Sequence, residues 1–193
     1  MRGRPTTFDN EQVLQKAQQV FWTKGYTATS LDDLLNVMKM GSGSFYNIFK
    51  GGKKELFRKA IQQRRDAFEE FKAELYKSES PIDLIKDFFR SIASADMETH
   101  LKGCIISNTV VEMTFIDQEL ENEAIEILKE VETMFTLAIR KAQADGTIKN
   151  NTDAAILGKY LITFWNGINV TRRMYPNNTI LLKQIEMQLE IIS

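Results

Sequence analysis

Proline occurs only at positions 5, 81 and 176 of this 193-residue chain, and between those points the apolar residues recur at helical spacing. Proline lacks the backbone donor that a helix interior needs, so its absence over such stretches leaves long helices unbroken. Val13, Leu14, Ala17, Val20 and Phe21 fall on one face of a first helix. Asp9 is its candidate N-cap, Phe8 can staple onto Val13, and Gly25 after Lys24 suits the left-handed end of the helix. Leu31, Leu34, Leu35 and Met38 mark a short second helix capped by Thr29 or Ser30. Phe45, Ile48 and Phe49 mark a third after the break Lys39-Met40-Gly41. From about residue 54 to 77 runs a row of Phe57, Ala60, Ile61, Phe68, Phe71 and Leu75, a helix of roughly 36 Å.

Ser80-Pro81 restarts the chain, with serine suited to the cap and proline to the first helical position. Four or five further helices are expected. Ile82, Ile85, Phe89 and Ile92 mark the first, Cys104 to Phe115 lies in the second, and a third runs from about 118 to Asp145-Gly146. Residues 152–174 are apolar almost all round, which predicts burial on every side and hence a subunit interface. After Tyr175-Pro176-Asn177-Asn178, a last helix carries Leu182, Ile185, Leu189 and Ile192. No strand pattern or repeat interrupts the series, so the fold class is all-α.

The formal net charge of −1 conceals an asymmetry. Residues 1–65 hold 12 basic against 5 acidic groups, and the remainder is correspondingly acidic. That split predicts a polyanionic partner for the N-terminal part. Two short helices around a tight break, behind an amphipathic helix and inside the basic segment, describe a helix-turn-helix. Its second helix turns Ser42, Ser44, Asn47 and Lys50 outward and Phe45 and Phe49 inward, with the Tyr46 hydroxyl placed for a phosphate. Arg2 and Arg4 form a short basic arm suited to a narrow minor groove.

Residues 8–57 resemble the DNA-binding head of the TetR (tetracycline-repressor-type) family of regulators. The resemblance rests on Phe21, Lys24-Gly25-Tyr26, Thr29-Ser30-Leu31, Leu34, Gly43-Ser44-Phe45-Tyr46, Phe49 and Leu56-Phe57, in that order and spacing. It implies a homodimer of about nine helices per chain: a three-helix DNA-binding head (residues 1–53), then a connector helix with a ligand-binding and dimerisation body (54–193). It adds Thr29, Ser30 and Gly43 to the DNA-facing set, and makes Lys53 or Lys54 the phosphate anchor at the start of the connector. Lys102-Gly103-Cys104-Ile105 and the Asn108 to Glu112 spacing resemble one subgroup. Three departures stand out: Lys39 where glycine is frequent in the turn, Gly41 where a capping serine is usual (leaving Ser42 as substitute), and one extra residue after Phe49. A left-handed lysine costs about 1 kcal/mol.

The implied function is a transcriptional regulator, most simply a repressor released from a near-palindromic double-stranded operator by a small apolar or aromatic effector. The candidate effector residues are Phe89, Cys104, Asn108, Glu112, Phe115, Trp165 and Asn166, and the candidate dimer residues are Leu161, Phe164, Ile168, Leu182, Ile185 and Leu189. Two alternatives are a thiol-based redox or electrophile sensor through Cys104, and a helical binding protein that has lost specific DNA recognition. Catalysis is not expected: there is no glycine-rich phosphate loop, no strand precedes Gly41-Ser42-Gly43-Ser44, and His100 and Cys104 lack an orienting third group. One histidine and one cysteine predict no metal site, and no cofactor is expected. A lone cysteine, an N-terminus without an apolar core and the lack of a run of ~18–20 apolar residues predict a cytoplasmic chain with no membrane partner.

Overall fold

The computed structural model describes residues 10–174 and 177–193. The Asp9 cap, the Phe8 staple, the arm with Arg2 and Arg4, and Tyr175-Pro176 lie outside the described residues. Those described form ten α-helices and no strand: α1 Asn10–Lys24, α2 Leu31–Met38, α3 Ser42–Ile48, α4 Gly52–Lys77, α5 Pro81–Ala93, α6 Met97–Lys102, α7 Ile105–Met113, α8 Gln118–Ala144, α9 Ala154–Thr171 and α10 Asn178–Leu189. A single 3-10 turn, Glu190–Ile192, follows α10.

Helix α2 begins at Ser30, whose Oγ accepts from the Asp33 amide at 3.1 Å while the Ser30 amide donates to Asp33 Oδ2 at 3.0 Å. This reciprocal box satisfies two of the donors that a helix start leaves open. Lys24 pairs with the same carboxylate at 2.6 Å. Lys24 first, and then the Ser30 amide, pull the Asp33 pKa down to about 2. Helix α2 ends at Lys39, which adopts φ 54° and ψ 45° and donates its amide to the Leu35 carbonyl. The left-handed turn is therefore made without glycine. Met40 beyond it is buried, which locks the reversal into α3. Gly41 is the N-cap of α3 with no side-chain acceptor, and Ser42, expected as a substitute cap, is already the first helical residue.

Phe21, Leu34, Met38, Phe45, Leu56 and Phe57 are buried together and make the core shared by α1 to α3 and the start of α4. In the body, α8 packs along α7 and α9, α10 lies on α5, and α4 reaches both α1 and α8. Gly158 brings α9 close to α8: a Cβ there would stand 3.2 Å from the Glu132 carbonyl oxygen. The 104–115 segment is shorter as a helix than the periodicity predicts. Cys104 is the N-cap of α7, while Phe115 lies beyond its end, fully exposed, with φ 68°. The short α6 before it carries only a single turn and a half of sequence, too little for a periodic signal.

Within the single chain, helix α9 is buried on one side. Leu157, Leu161, Trp165 and Ile168 enter the chain's own core, whereas Ile156 and Val170 are exposed along with Lys159, Thr163 and Gly167. Replacing Lys39 with glycine should relieve the left-handed strain and raise unfolding free energy by about 0.5–1 kcal/mol, measured as a higher urea midpoint at unchanged slope.

Candidate nucleic-acid interface and effector cavity

Helix α3 presents two unlike faces. Phe45 and Phe49 are buried and pack against one another with tilted rings at a centroid separation of 5.3 Å. Ser42, Gly43, Ser44, Tyr46, Asn47 and Lys50 are all exposed. Ile48, placed by its spacing with the apolar pair, is also exposed, so the solvent face includes one apolar side chain. The other expected DNA residues are placed differently. Thr29 is buried and its hydroxyl donates to the Gly25 carbonyl at 2.6 Å, and Ser30 is the cap of α2. Lys53 donates to the Tyr26 and Thr29 carbonyls at 3.0 and 2.9 Å, and its ammonium lies 4.4 Å from the Tyr26 ring centre. Lys54 bonds Asp117 and Glu119. Both lysines are thus engaged within the chain in this structure.

The head is fastened to the body along one seam. Glu112 on α7 accepts the Tyr26 and Thr27 amides at 2.9 and 2.6 Å. Lys54, Arg58 and Arg65 on α4 meet Asp117, Glu119, Glu123 and Glu130 at and along α8. Lys54 holds the carboxyls of Asp117 and Glu119 below the usual carboxylate range. On α1, the Trp22 indole donates to the Gly103 carbonyl at 3.1 Å, and Lys102 reaches Gln19 at 2.9 Å. Gly25, with φ 80°, allows the closest approach: a Cβ there would stand 2.8 Å from Glu112 Oε2.

Behind this seam lies a cavity of about 170 Å³. Its walls are Trp22 of α1, Arg64 and Phe68 of α4, Phe88, Ser91 and Ile92 of α5, the segment from Gly103 to Ile106, and Trp165, Asn169 and Arg172 at α9. Of the expected effector residues, Cys104 and Trp165 line it. The others are elsewhere. Phe89 is fully buried, stacked on Phe164 at 5.0 Å, and belongs to the packed core. Asn108 and Glu112 border the cleft between head and body, and Asn166 accepts from the Ser107 hydroxyl at 2.7 Å. Phe115 faces solvent because its backbone has already left the helix. Trp22, Arg64 and Arg172 also line the cavity and were not among the expected residues. A charged residue closing the apolar stretch 152–174 was the available signal for Arg172.

The expected dimer residues differ in their burial within the chain. Leu161, Ile168, Ile185 and Leu189 are inside the chain's own core. Phe164 packs on Phe89, and Leu182 is exposed. The apolar side chains that α9 and α10 leave at the surface are Ile156, Val170, Ile180, Leu182 and Met187. Among the described residues no group of His, Cys, Asp or Glu is placed to hold a metal ion, and no helix is long and apolar enough to cross a membrane.

Comparison with known proteins agrees with this architecture. The family model for the tetracyclin repressor-like C-terminal domain matches residues 81–185. The chain is 27% identical to the HTH-type transcriptional repressor ComR of Escherichia coli K12, over 89% of this chain and 83% of that protein. It is 26% identical to the HTH-type transcriptional repressor DhaR of a Mycobacterium species, over 86% and 83%. Among solved structures it is similar to a cysteine mutant of the TetR family regulator CifR in complex with 26-base-pair operator DNA. That match has a TM-score of 0.81 at 25% identity and covers 99% of this chain and 100% of that one.

Because Gly25 and Glu112 serve the same contact, their substitutions should not be additive. Glu112→Gln should cost about 1–3 kcal/mol in a urea melt, the range of a charge-assisted hydrogen bond. Gly25→Ala should cost at least as much, and the double variant less than the sum by roughly 0.5 kcal/mol or more.

Proposed function

The chain belongs to the TetR family of transcriptional regulators, and from that membership we propose a dimeric repressor that leaves its operator when a small effector fills the cavity behind the head. The observation that carries this reading is the exposed face of α3, in which every polar residue from Ser42 to Lys50 is solvent-facing over a buried Phe45–Phe49 pair. Ser42, Ser44 and Asn47 offer short donors and acceptors for base edges, and Tyr46 and Lys50 suit the phosphates that flank them. Arg2 and Arg4, ahead of α1, would extend the contact into the neighbouring minor groove. In this reading the DNA-binding unit is residues 1–53, and the effector and dimer unit begins at residue 54, within the first turn of α4.

Release has a physical route. Trp22 belongs to the head yet forms a wall of the body cavity and bonds Gly103. Gly103 leads into α7, whose Glu112 holds the loop before α2. A ligand that binds more tightly when this seam is shifted would favour a head position that no longer fits the operator, since only differential affinity moves such an equilibrium. Two chains would associate through the outward faces of α9 and α10, where Ile156, Val170, Ile180 and Met187 are exposed. In such a dimer the two α3 helices would read successive major grooves, about 34–36 Å apart.

Selection of bound DNA from a random library should recover a near-palindrome with that half-site spacing. Recovery of no preferred sequence would overturn the reading. With ~6–10 phosphates neutralised, affinity should fall roughly 10³–10⁵-fold between about 50 and 200 mM salt. Lys50→Ala should lower the slope of log affinity against log salt by about 2, one phosphate contact being lost from each half of the dimer. Lys54→Ala should leave that slope unchanged, because Lys54 is committed to Asp117 and Glu119. Val170→Asp should shift the chain from dimer to monomer on sedimentation, whereas a dimer persisting in that variant would place the interface elsewhere.

A further inference from the structure

Arg172 is the C-cap of α9 and lines the body cavity while only 5% exposed. Its Nη2 donates to the Thr99 carbonyl at 3.0 Å, an oxygen that the Gly103 amide also serves. Its Nε has no partner. Among the described residues lining the cavity there is no carboxylate, and the second cation present, Arg64, lies 4.9 Å from the Trp22 ring. Burial, and then Arg173 nearby, push the Arg172 pKa down, yet a guanidinium stays charged in a protein. A buried cation without a counter-charge is costly. Three residues back on the same helix face, Asn169 leaves Oδ1 without a donor while its Nδ2 bonds the Trp165 carbonyl. The polar end of the cavity therefore lacks one acceptor and one donor. The rest of the wall is aromatic or aliphatic, with Trp22, Phe68, Phe88, Ile92 and Trp165. A cavity of ~150 Å³ is the scale that accommodates a single benzene ring.

We propose that this cavity binds a small organic carboxylate, a one-ring or short-chain acid, whose carboxylate accepts from Arg172 Nε while its apolar body lies between Trp22, Phe88 and Trp165. A hydroxyl or N–H on the same ligand would complete Asn169. The inference rests on the reading of this cavity as the effector site and names the class of effector it takes. The acid satisfies the buried guanidinium, and its ring or chain replaces water against Trp22, so occupancy bears directly on the seam between head and body.

The test is a tryptophan-fluorescence titration of the purified full-length chain with benzoate, phenylacetate and hexanoate, each beside its neutral amide. At least one acid should bind, and roughly 10- to 100-fold more tightly than its amide, the range of a charge-assisted hydrogen bond. Arg172→Met should abolish that preference, and Arg172→Lys should keep part of it. Without ligand, Arg172→Met should melt no lower than the parent, because it removes an unpaired buried charge and the Thr99 carbonyl keeps the Gly103 amide. A markedly lower melting temperature would assign Arg172 a structural role instead. Equal binding of acid and amide, no binding by any acid, or unchanged preference in Arg172→Met would overturn the proposal. The acid–amide comparison on the unaltered chain stands even if the variant fails to fold. No DNA is present in this titration, so its failure leaves operator binding untouched, and loss of operator binding is read separately.

Discussion

At the end of the first helix, Gly25 takes a positive φ and the chain turns two amides, those of Tyr26 and Thr27, toward the body. Glu112 accepts both. Amides at such a reversal must find acceptors or remain hydrated, and a carboxylate from another helix makes the reversal a joint between two parts of the molecule. Gly25 is needed twice over, for its dihedral and for the space that Glu112 occupies. Since Glu112 lies on α7, whose N-cap is a wall of the cavity, the position of α2 and α3 depends on the same helix that a cavity ligand would touch.

The charge asymmetry takes on a different meaning beside this joint. Read along the sequence, the basic excess of residues 1–65 points to a polyanion. In space, part of it faces the acidic body instead, with Lys54, Arg58 and Arg65 paired with carboxylates of the α7–α8 region, and part is used up within the head, Lys24 by Asp33 and Lys53 by two carbonyls and a ring. Lys16, Lys39 and Lys50 remain exposed on the head. The opposite charges of the two parts thus meet across the seam between them. These pairs are half exposed, so each contributes little alone and their geometry matters more than their number.

Most helices were legible because each depends on a periodic stripe and local caps. The Ser30–Asp33 box, the end of α8 before Asp145-Gly146 and the Phe45–Phe49 inner face of α3 all follow from neighbouring residues. The site was less so. Phe89 and Trp165 look alike to a sequence reader, yet one is packed core and the other cavity wall, because the difference is made by which helices converge on them. Glu112 was singled out by a motif spacing, but its role at the joint requires the partner amides more than eighty residues away.

By itself the sequence determined an all-α chain, a helix-turn-helix near its start, a long connector and the family to which these belong, since all are written in local pattern and residue order. Only the tertiary structure decided which cations are left for a partner, which apolar residues remain at the surface of α9 and α10, and that a buried arginine without a counter-charge closes an aromatic cavity. Those outcomes rest on pairings between distant segments. A side chain's charge or apolar surface is fixed by its identity, but whether another part of the same chain already satisfies it is fixed by packing.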